Sequence, residues 1–161
     1  SLVQSGWRLL TDELTLVDLQ DSRLWPLCRP VSLKNQSVPV IQALAPQAQF
    51  NLVTHDTLKG SVTHMRVLPE HLARVREPAQ ARWIVYPRYQ AGAETQLRPR
   101  TRASAVVDLA RQSFNISVLG VPGFEALTRL VGSCACHDFT YSRLPEAIAL
   151  FNAMADAGTS A

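Results

Sequence analysis

Two adjacent acidic residues, Asp12 and Glu13, stand between two short apolar runs in the segment RLLTDELTLVD, residues 8–18. Each carboxylate must be solvated, hydrogen-bonded or neutralised by a cation, because an unpaired buried charge is unfavourable. A strand with both faces buried therefore cannot run through this segment. The pattern predicts short strands at residues 7–10 and 14–17, with the acid pair exposed where they meet.

The acid pair has two interpretations that the local pattern leaves open. Carboxylates at the end of a strand commonly hold Mg²⁺ or act as a base beside a phosphoryl group in nucleotide-binding proteins. Aspartate is also favoured in the turn of a β-hairpin, where it has no catalytic role.

Length and composition indicate one globular domain rather than a disordered chain. The sequence has 161 residues, of which 47% are hydrophobic and 18% charged. We expect a single domain over residues 1–156, incomplete at its N-terminus, and a frayed tail at 157–161.

Charge and cysteine content narrow the class of protein further. A net charge of +3 is a mild excess, and aromatic residues do not alternate with the basic ones, so a nucleic-acid partner is disfavoured. No window approaches the roughly 18 consecutive apolar residues of a membrane span. Three scattered cysteines do not form a disulfide framework, which favours a reducing compartment and a cytoplasmic protein.

The apolar spacing predicts a mixed α/β fold. Prolines at positions 26 and 30 favour an irregular or edge segment over residues 24–33. Strands are predicted at residues 50–53, 61–67, 81–86 and 136–141. Helices are predicted from Ser37 until Pro46, at 101–114 with Thr101 as the N-cap, at 124–131, and at 144–154, and a short helix or turn is predicted at residues 69–77.

Basic residues gather in two places that suit an anionic ligand. Arg100 and Arg102 stand at the predicted N-terminus of the helix at 101–114, where free N–H groups and the helix dipole favour phosphate. Lys59 precedes Gly60, which permits close approach of the backbone. The alternative for both places is a solvated basic loop.

The cluster Cys134, Cys136 and His137 has the spacing C-x-C-H, which raises the question of zinc. A second Cys/His pair of the zinc-finger type is not present in the sequence, so small buried cysteines entering a strand are the favoured interpretation.

Five segments, taken in their order along the chain, resemble the C-terminal catalytic domain of HPr kinase/phosphorylase. The resemblance is strongest to the HPr-kinase-related kinase A group associated with bacterial exosortase and exopolysaccharide systems. The segments are GWRLLTDELTLVD, RPVSLKNQSVPVI, THDTLKGSVTHM, LRPRTRASAV running into SFN, and FTYSRLPEAI. The resemblance implies a mixed β-sheet with flanking helices, of the P-loop kinase and phosphoenolpyruvate carboxykinase type.

The resemblance also implies roles for individual residues. Asp12 maps onto the acid that handles the proton of the phosphate acceptor, and Glu13 onto the acid associated with Mg²⁺; both are candidate metal ligands. Lys59 and Gly60 fall near the family's Glu-x-Arg-Gly signature, with Thr57 at its acidic position, and Arg100 or Arg102 near a late arginine loop. ATP and Mg²⁺ are the implied cofactors.

Two departures from the family pattern shape the expected function. The family's P-loop would stand immediately before Ser1 and is not in this sequence, and the signature lacks its Glu and Arg. We expect an ATP-dependent phosphotransferase acting on an unidentified protein serine or small molecule, with ATP binding weak in this chain alone. The alternative is a non-catalytic binding or regulatory module that kept the kinase fold and lost nucleotide binding. HPr kinases form hexamers, so self-association is expected.

Overall fold

Strands and helices alternate irregularly along residues 1–159, the part of the chain that the computed structural model describes. A 3₁₀ turn at Leu2–Ser5 comes first. The strands are β1 (Leu16–Val17), β2 (Leu24–Trp25), β3 (Val31–Lys34), β4 (Thr54–Thr57), β5 (Gly60–Met65), β6 (Trp83–Tyr89), β7 (Gln96–Pro99) and β8 (Ala135–Tyr141). The helices are α1 (Ser37–Leu44), α2 (Pro69–Ala73), α3 (Arg102–Gln112), α4 (Ile116–Ser133) and α5 (Leu144–Thr159). The predicted mixed α/β class is confirmed.

Three small sheets are present in the described residues, with strand orders β1-β2, β3-β5-β4 and β6-β8-β7. The chain divides into two compact units. The first contains residues 1–16 and 25–78, and the second contains residues 17–24 and the chain from residue 79 onward. The sequence had been interpreted as one domain over residues 1–156.

The last helix reaches into the segment expected to be a frayed tail. Helix α5 continues through Thr159 and so includes residues 157–159. The other two residues of the expected tail, Ser160 and Ala161, lie outside the described residues. Within residues 1–159, none of the helices combines the length and the hydropathy needed to cross a membrane.

The first unit is organised around the antiparallel sheet β3-β5-β4. Burial alternates along β5, where Thr63 and Met65 are buried and His64 is exposed, so one face of the sheet packs on the core. Helix α1 buries Val38 and Ile41 and carries Pro39 in its first turn, as predicted.

Three strand predictions in the first unit were inaccurate. Residues 7–10 form no strand, because the carbonyl of Leu10 accepts a single backbone bond, from Leu27 N–H at 2.8 Å, rather than a ladder. The strand expected at 14–17 is reduced to β1. The strand expected at 50–53 is displaced to Thr54–Thr57. A two-residue turn joins this strand to β5 and places Thr57 opposite Gly60.

The second unit is organised around the mixed sheet β6-β8-β7, in which β8 is parallel to β6 and antiparallel to β7. Ala105, Val131 and Cys136 form a buried cluster against this sheet. Thr101 caps α3 as predicted, because its Oγ1 accepts a hydrogen bond from the Ser104 N–H at 3.3 Å.

Three elements of the second unit differ from expectation. β7 was not predicted. β6 continues past Pro87 to Tyr89, which an edge strand tolerates because the missing N–H faces no partner. Helix α4 begins at Ile116 rather than at residue 124, and it bends at Gly120, whose φ of 58° and ψ of −132° interrupt the helix.

Candidate functional site

A cavity of about 730 Å³ lies in the first unit beside the predicted acid pair. Its walls come from segments far apart in the sequence. The lining residues are Thr11, Asp12, Glu13, Leu14, Leu27, Arg29, Pro30, Ser32, Lys34, Asn51, Lys59, Val62 and His64. Asp12, Glu13 and Lys59, three of the residues that the sequence singled out, therefore line one cavity.

The pleat of the sheet explains which side chains reach the cavity. In the antiparallel register, Ser32 is opposite His64 and Lys34 is opposite Val62, and all four residues line the cavity. Their neighbour Leu33 is buried and points to the core face, as period-two alternation requires. One face of β3 and β5 thus forms the floor of the cavity.

The two carboxylates have different surroundings. Asp12 Oδ2 accepts a hydrogen bond from the backbone N–H of Ser32 at 2.9 Å, so this carboxylate is fixed at the open edge of β3. The Glu13 backbone N–H donates to Thr11 Oγ1 at 3.3 Å. Among residues 1–159, the Glu13 carboxylate has no hydrogen bond or ion-pair partner. Asp12 is held in place, and Glu13 remains available to a cation.

Three exposed cations line the same cavity: Arg29, Lys34 and Lys59. None of them forms an ion pair with an acidic residue in the described part of the chain. The sequence has only two lysines, and both are in this set. Positive charge that is not paired within the protein favours an anionic ligand, and the carboxylates beside it favour one that carries a metal cation.

Lys59 occupies the turn between β4 and β5, and the turn is closely tied together. Thr57 Oγ1 accepts a hydrogen bond from the Lys59 N–H at 3.1 Å and donates to the Gly60 carbonyl. Gly60 has a φ of 79°, and a Cβ at this position would overlap the Asn35 side-chain oxygen. Glycine is therefore required at position 60 by conformation and by space.

Arg100 and Arg102 belong to the second unit and are not among the residues that line the cavity. Arg100 pairs with Asp108 and, at 2.6 Å, with Asp138, and its guanidinium lies 4.1 Å from the ring centroid of Tyr86. The hydrogen bond to Asp138 raises the pKa of Arg100, and burial raises the pKa of Tyr86. Arg100 is already neutralised within its unit, which leaves Arg102, exposed at the start of α3, as the better phosphate candidate.

Sequence reasoning did not single out four residues of the cavity: Arg29, Lys34, Asn51 and His64. The sequence did carry a signal for Lys34, because Ser32 and Lys34 alternate with the apolar Val31 and Leu33, as in a strand with one buried face. Pro26 and Pro30 favour an irregular or edge segment there, and β3 is an edge strand, but the alternation within it was not used to find Lys34. His64 and Asn51 carry no local signal, since only the sheet register and the loop path bring them to the cavity.

The donor set suits magnesium bound together with phosphate better than a metal held by protein alone. In residues 1–159, no group of three or more His, Cys, Asp or Glu side chains is arranged to hold a metal ion. Mg²⁺ is usually bound by one or two carboxylates plus substrate phosphates, and Asp12 and Glu13 supply that number.

The three cysteines are free thiols, and two of them are buried as expected. Cys134 is 1% exposed and Cys136 is 5% exposed, and burial raises the pKa of both thiols. Cys28 is half-buried and its Sγ donates to the Leu9 carbonyl at 3.4 Å.

Thiol labelling of the native protein should modify Cys28 first, and Cys134 and Cys136 only after unfolding. A raised pKa lowers the fraction of reactive thiolate at any given pH, and burial blocks the reagent as well. The measurement is the rate of reaction with Ellman's reagent at mildly alkaline pH, with and without urea. The Cys28→Ser variant should lose the fast phase; equal rates for all three native thiols would contradict the packing of β8.

Comparison with known proteins gave no match to a family model, to a curated protein or to a solved structure. The function is therefore inferred from the cavity and its residues, together with the resemblance of the segments that supply them.

Proposed function

We propose that this chain is most of the catalytic domain of an HPr-kinase-like phosphotransferase, which moves a phosphoryl group from ATP to a hydroxyl acceptor. The main support is that the TDE, RPVSLKN and DTLKG segments, on which the resemblance rests, each contribute charged side chains to one cavity. Two carboxylates and three unpaired cations at one site are among the groups that phosphoryl transfer uses.

Asp12 is the proposed base. Its Oδ2 is held by the Ser32 N–H, which leaves Oδ1 to accept the proton of the attacking hydroxyl. The acceptor oxygen forms a bond to the γ-phosphorus while the bond from that phosphorus to the β–γ bridging oxygen breaks. ADP leaves with the bond electrons, and the hydroxyl proton remains on Asp12.

The cations and Glu13 provide charge neutralisation. Arg29, Lys34 and Lys59 are proposed to contact the phosphate oxygens, where positive charge stabilises the transition state. Glu13, whose carboxylate has no partner among residues 1–159, is proposed to help hold Mg²⁺, which would supply charge neutralisation of the phosphates when bound. Arg102 is retained as a further candidate phosphate ligand in the second unit.

The proposal extends to fold type and surroundings. We infer a P-loop kinase sheet related to phosphoenolpyruvate carboxykinase, and self-association as in HPr kinases. The acceptor is a protein serine or a small molecule. Three free cysteines support a reducing, cytoplasmic location.

Calorimetry with Mg·ATP tests the proposal on this chain and on a version extended upstream through the native gene. The extended version should bind, and this chain should bind weakly, because backbone amides of a P-loop normally hold the phosphates. Binding by neither version would overturn the proposal and favour the non-catalytic module that lost nucleotide binding.

Within the extended version, Arg29→Ala should weaken Mg·ATP binding about tenfold or more, because hydrogen bonds to charged groups contribute about 1.5–3 kcal/mol. Arg88→Ala is the matched control, since it removes the same charge from an exposed site in β6 of the second unit. Equal affinities of the two variants would exclude Arg29 from the phosphate site.

A further inference from the structure

The two lysines of the cavity are connected through one residue, Asn35. Asn35 follows Lys34 at the end of β3, and its side chain contacts the turn that carries Lys59. Asn35 Nδ2 donates to the Lys59 carbonyl at 3.2 Å, and Oδ1 accepts from the Ser61 N–H at 3.1 Å. The Asn35 backbone N–H also donates to the Ser61 carbonyl at 2.8 Å.

The backbone of Asn35 directs its side chain to this turn. Its φ of 48° is in the left-handed region, which asparagine tolerates better than most residues. Gly60 leaves the space that the Asn35 oxygen occupies. Position 35 thus requires a left-handed conformation, a donor and an acceptor at once, and asparagine provides all three.

Lys34 is fixed from its other side by the first turn of α1. Its backbone N–H donates to Ser37 Oγ at 2.8 Å, and the Ser37 hydroxyl donates back to the Lys34 carbonyl at 2.7 Å. The backbones of both lysines are therefore held by side-chain hydrogen bonds, while their ammonium groups make no ion pair in the described part of the chain.

We propose that Asn35 is a positioning residue that holds the Lys59 turn against the end of β3, so that Lys34 and Lys59 act together on one phosphate chain. This rests on the proposed function, because it assumes that the cavity binds phosphate. Fixing the backbone of a flexible side chain reduces the ordering that binding requires. The ligand class is a nucleoside di- or triphosphate, of which the phosphate chain is the recognised part.

The test uses Asn35→Gly and inorganic pyrophosphate. Glycine adopts φ of 48° without strain, so this variant removes both side-chain hydrogen bonds and keeps the backbone. Asp56→Gly is the matched control: Asp56 also has a positive φ, of 56°, lies in the same sheet and does not line the cavity. Its side chain makes no hydrogen bond or ion pair within residues 1–159.

Reductive methylation with ¹³C-formaldehyde reports on both lysines directly. Methylation keeps the positive charge, and with two lysines in the sequence it yields two assignable lysine signals beside that of the α-amino group. Lys34→Arg and Lys59→Arg assign the signals. Pyrophosphate titrated into the millimolar range should shift both signals in the unaltered protein.

In Asn35→Gly, the shift of the Lys59 signal should be lost and affinity should fall about 3- to 10-fold, the effect of leaving one flexible side chain unfixed. In a Lys59→Ala background, Asn35→Gly should weaken binding no further, whereas in an Arg29→Ala background it should keep its full effect. A general loss of structure would act equally in both backgrounds, and Asp56→Gly should behave as the unaltered protein.

The outcomes separate the two proposals. Pyrophosphate shifts that are the same in Asn35→Gly and in the unaltered protein would overturn the role of Asn35 and leave the phosphate site intact. An equal effect of Asn35→Gly in both backgrounds would likewise overturn it. Pyrophosphate that shifts neither lysine signal in the unaltered protein would overturn the phosphate site as well.

Discussion

The Asp12→Asn variant should lower the rate of phosphoryl transfer by about 10²- to 10⁴-fold, the usual contribution of a general base. Asparagine keeps an oxygen that accepts the Ser32 N–H, so the local structure is retained while the proton acceptor is lost. The measurement is ATP turnover of the version extended upstream, with Mg·ATP affinity determined on the same sample. Affinity should change far less than the rate.

Asp21→Asn is the control for this change. Asp21 is an exposed acid whose Oδ1 also accepts a backbone hydrogen bond, from Arg23 N–H at 2.9 Å, and it is not part of the cavity. Both variants replace one carboxylate oxygen by an amide nitrogen in a side chain that accepts a backbone hydrogen bond. Because Asp21 lies outside the cavity, Asp21→Asn should leave turnover unchanged. Equal turnover of Asp12→Asn and Asp21→Asn would remove Asp12 from the reaction.

The Phe139→Ala variant should destabilise the second unit by about 3–5 kcal/mol, the usual cost of deleting a buried aromatic ring. Phe139 is 2% exposed in the central strand β8. Its ring stacks on Tyr141 at 5.2 Å between centroids and meets the edge of Phe151 at 5.0 Å. The measurement is the free energy of unfolding in urea, followed by circular dichroism. The loss is a large part of a typical domain stability.

Phe114→Ala provides the comparison, because Phe114 is 87% exposed in the connection between α3 and α4. It deletes the same atoms, yet its effect should be close to zero, as for most exposed positions. If both variants lost the same stability, the packing described around β8 would be incorrect.

Elements with strong local signals were predictable from the sequence. α1 begins beside Pro39 and ends before Pro46, and α3 is capped by Thr101, so residues close in sequence define both helices. β7 was missed for the opposite reason. Its four residues, QLRP, are mostly exposed and show no clear strand pattern, and they form a strand through pairing with β8, some forty residues later.

The same distinction applies to the candidate site. Asp12 and Lys59 were singled out because their segments resemble those of the HPr kinase family, while their local patterns left other interpretations open. Arg100 had an equally suggestive pattern at a helix N-terminus, yet its guanidinium pairs with Asp138, a residue 38 positions away that no local pattern connects to it. Charge partners that the fold supplies decide whether a basic residue remains free for a ligand, and sequence spacing does not report them.

The strand order β6-β8-β7 has a consequence for synthesis of the protein on the ribosome. β6 and β7 leave the ribosome close together, but in the described residues 1–159 both strands pair with β8, which is made after α3 and α4. Until Tyr141 has emerged, both strands present unpaired backbone edges, which are the surfaces that aggregate most readily. The sheet of the second unit can therefore form only after β8 has been synthesised. Slow translation between residues 99 and 135 would prolong the exposure of the unpaired edges of β6 and β7.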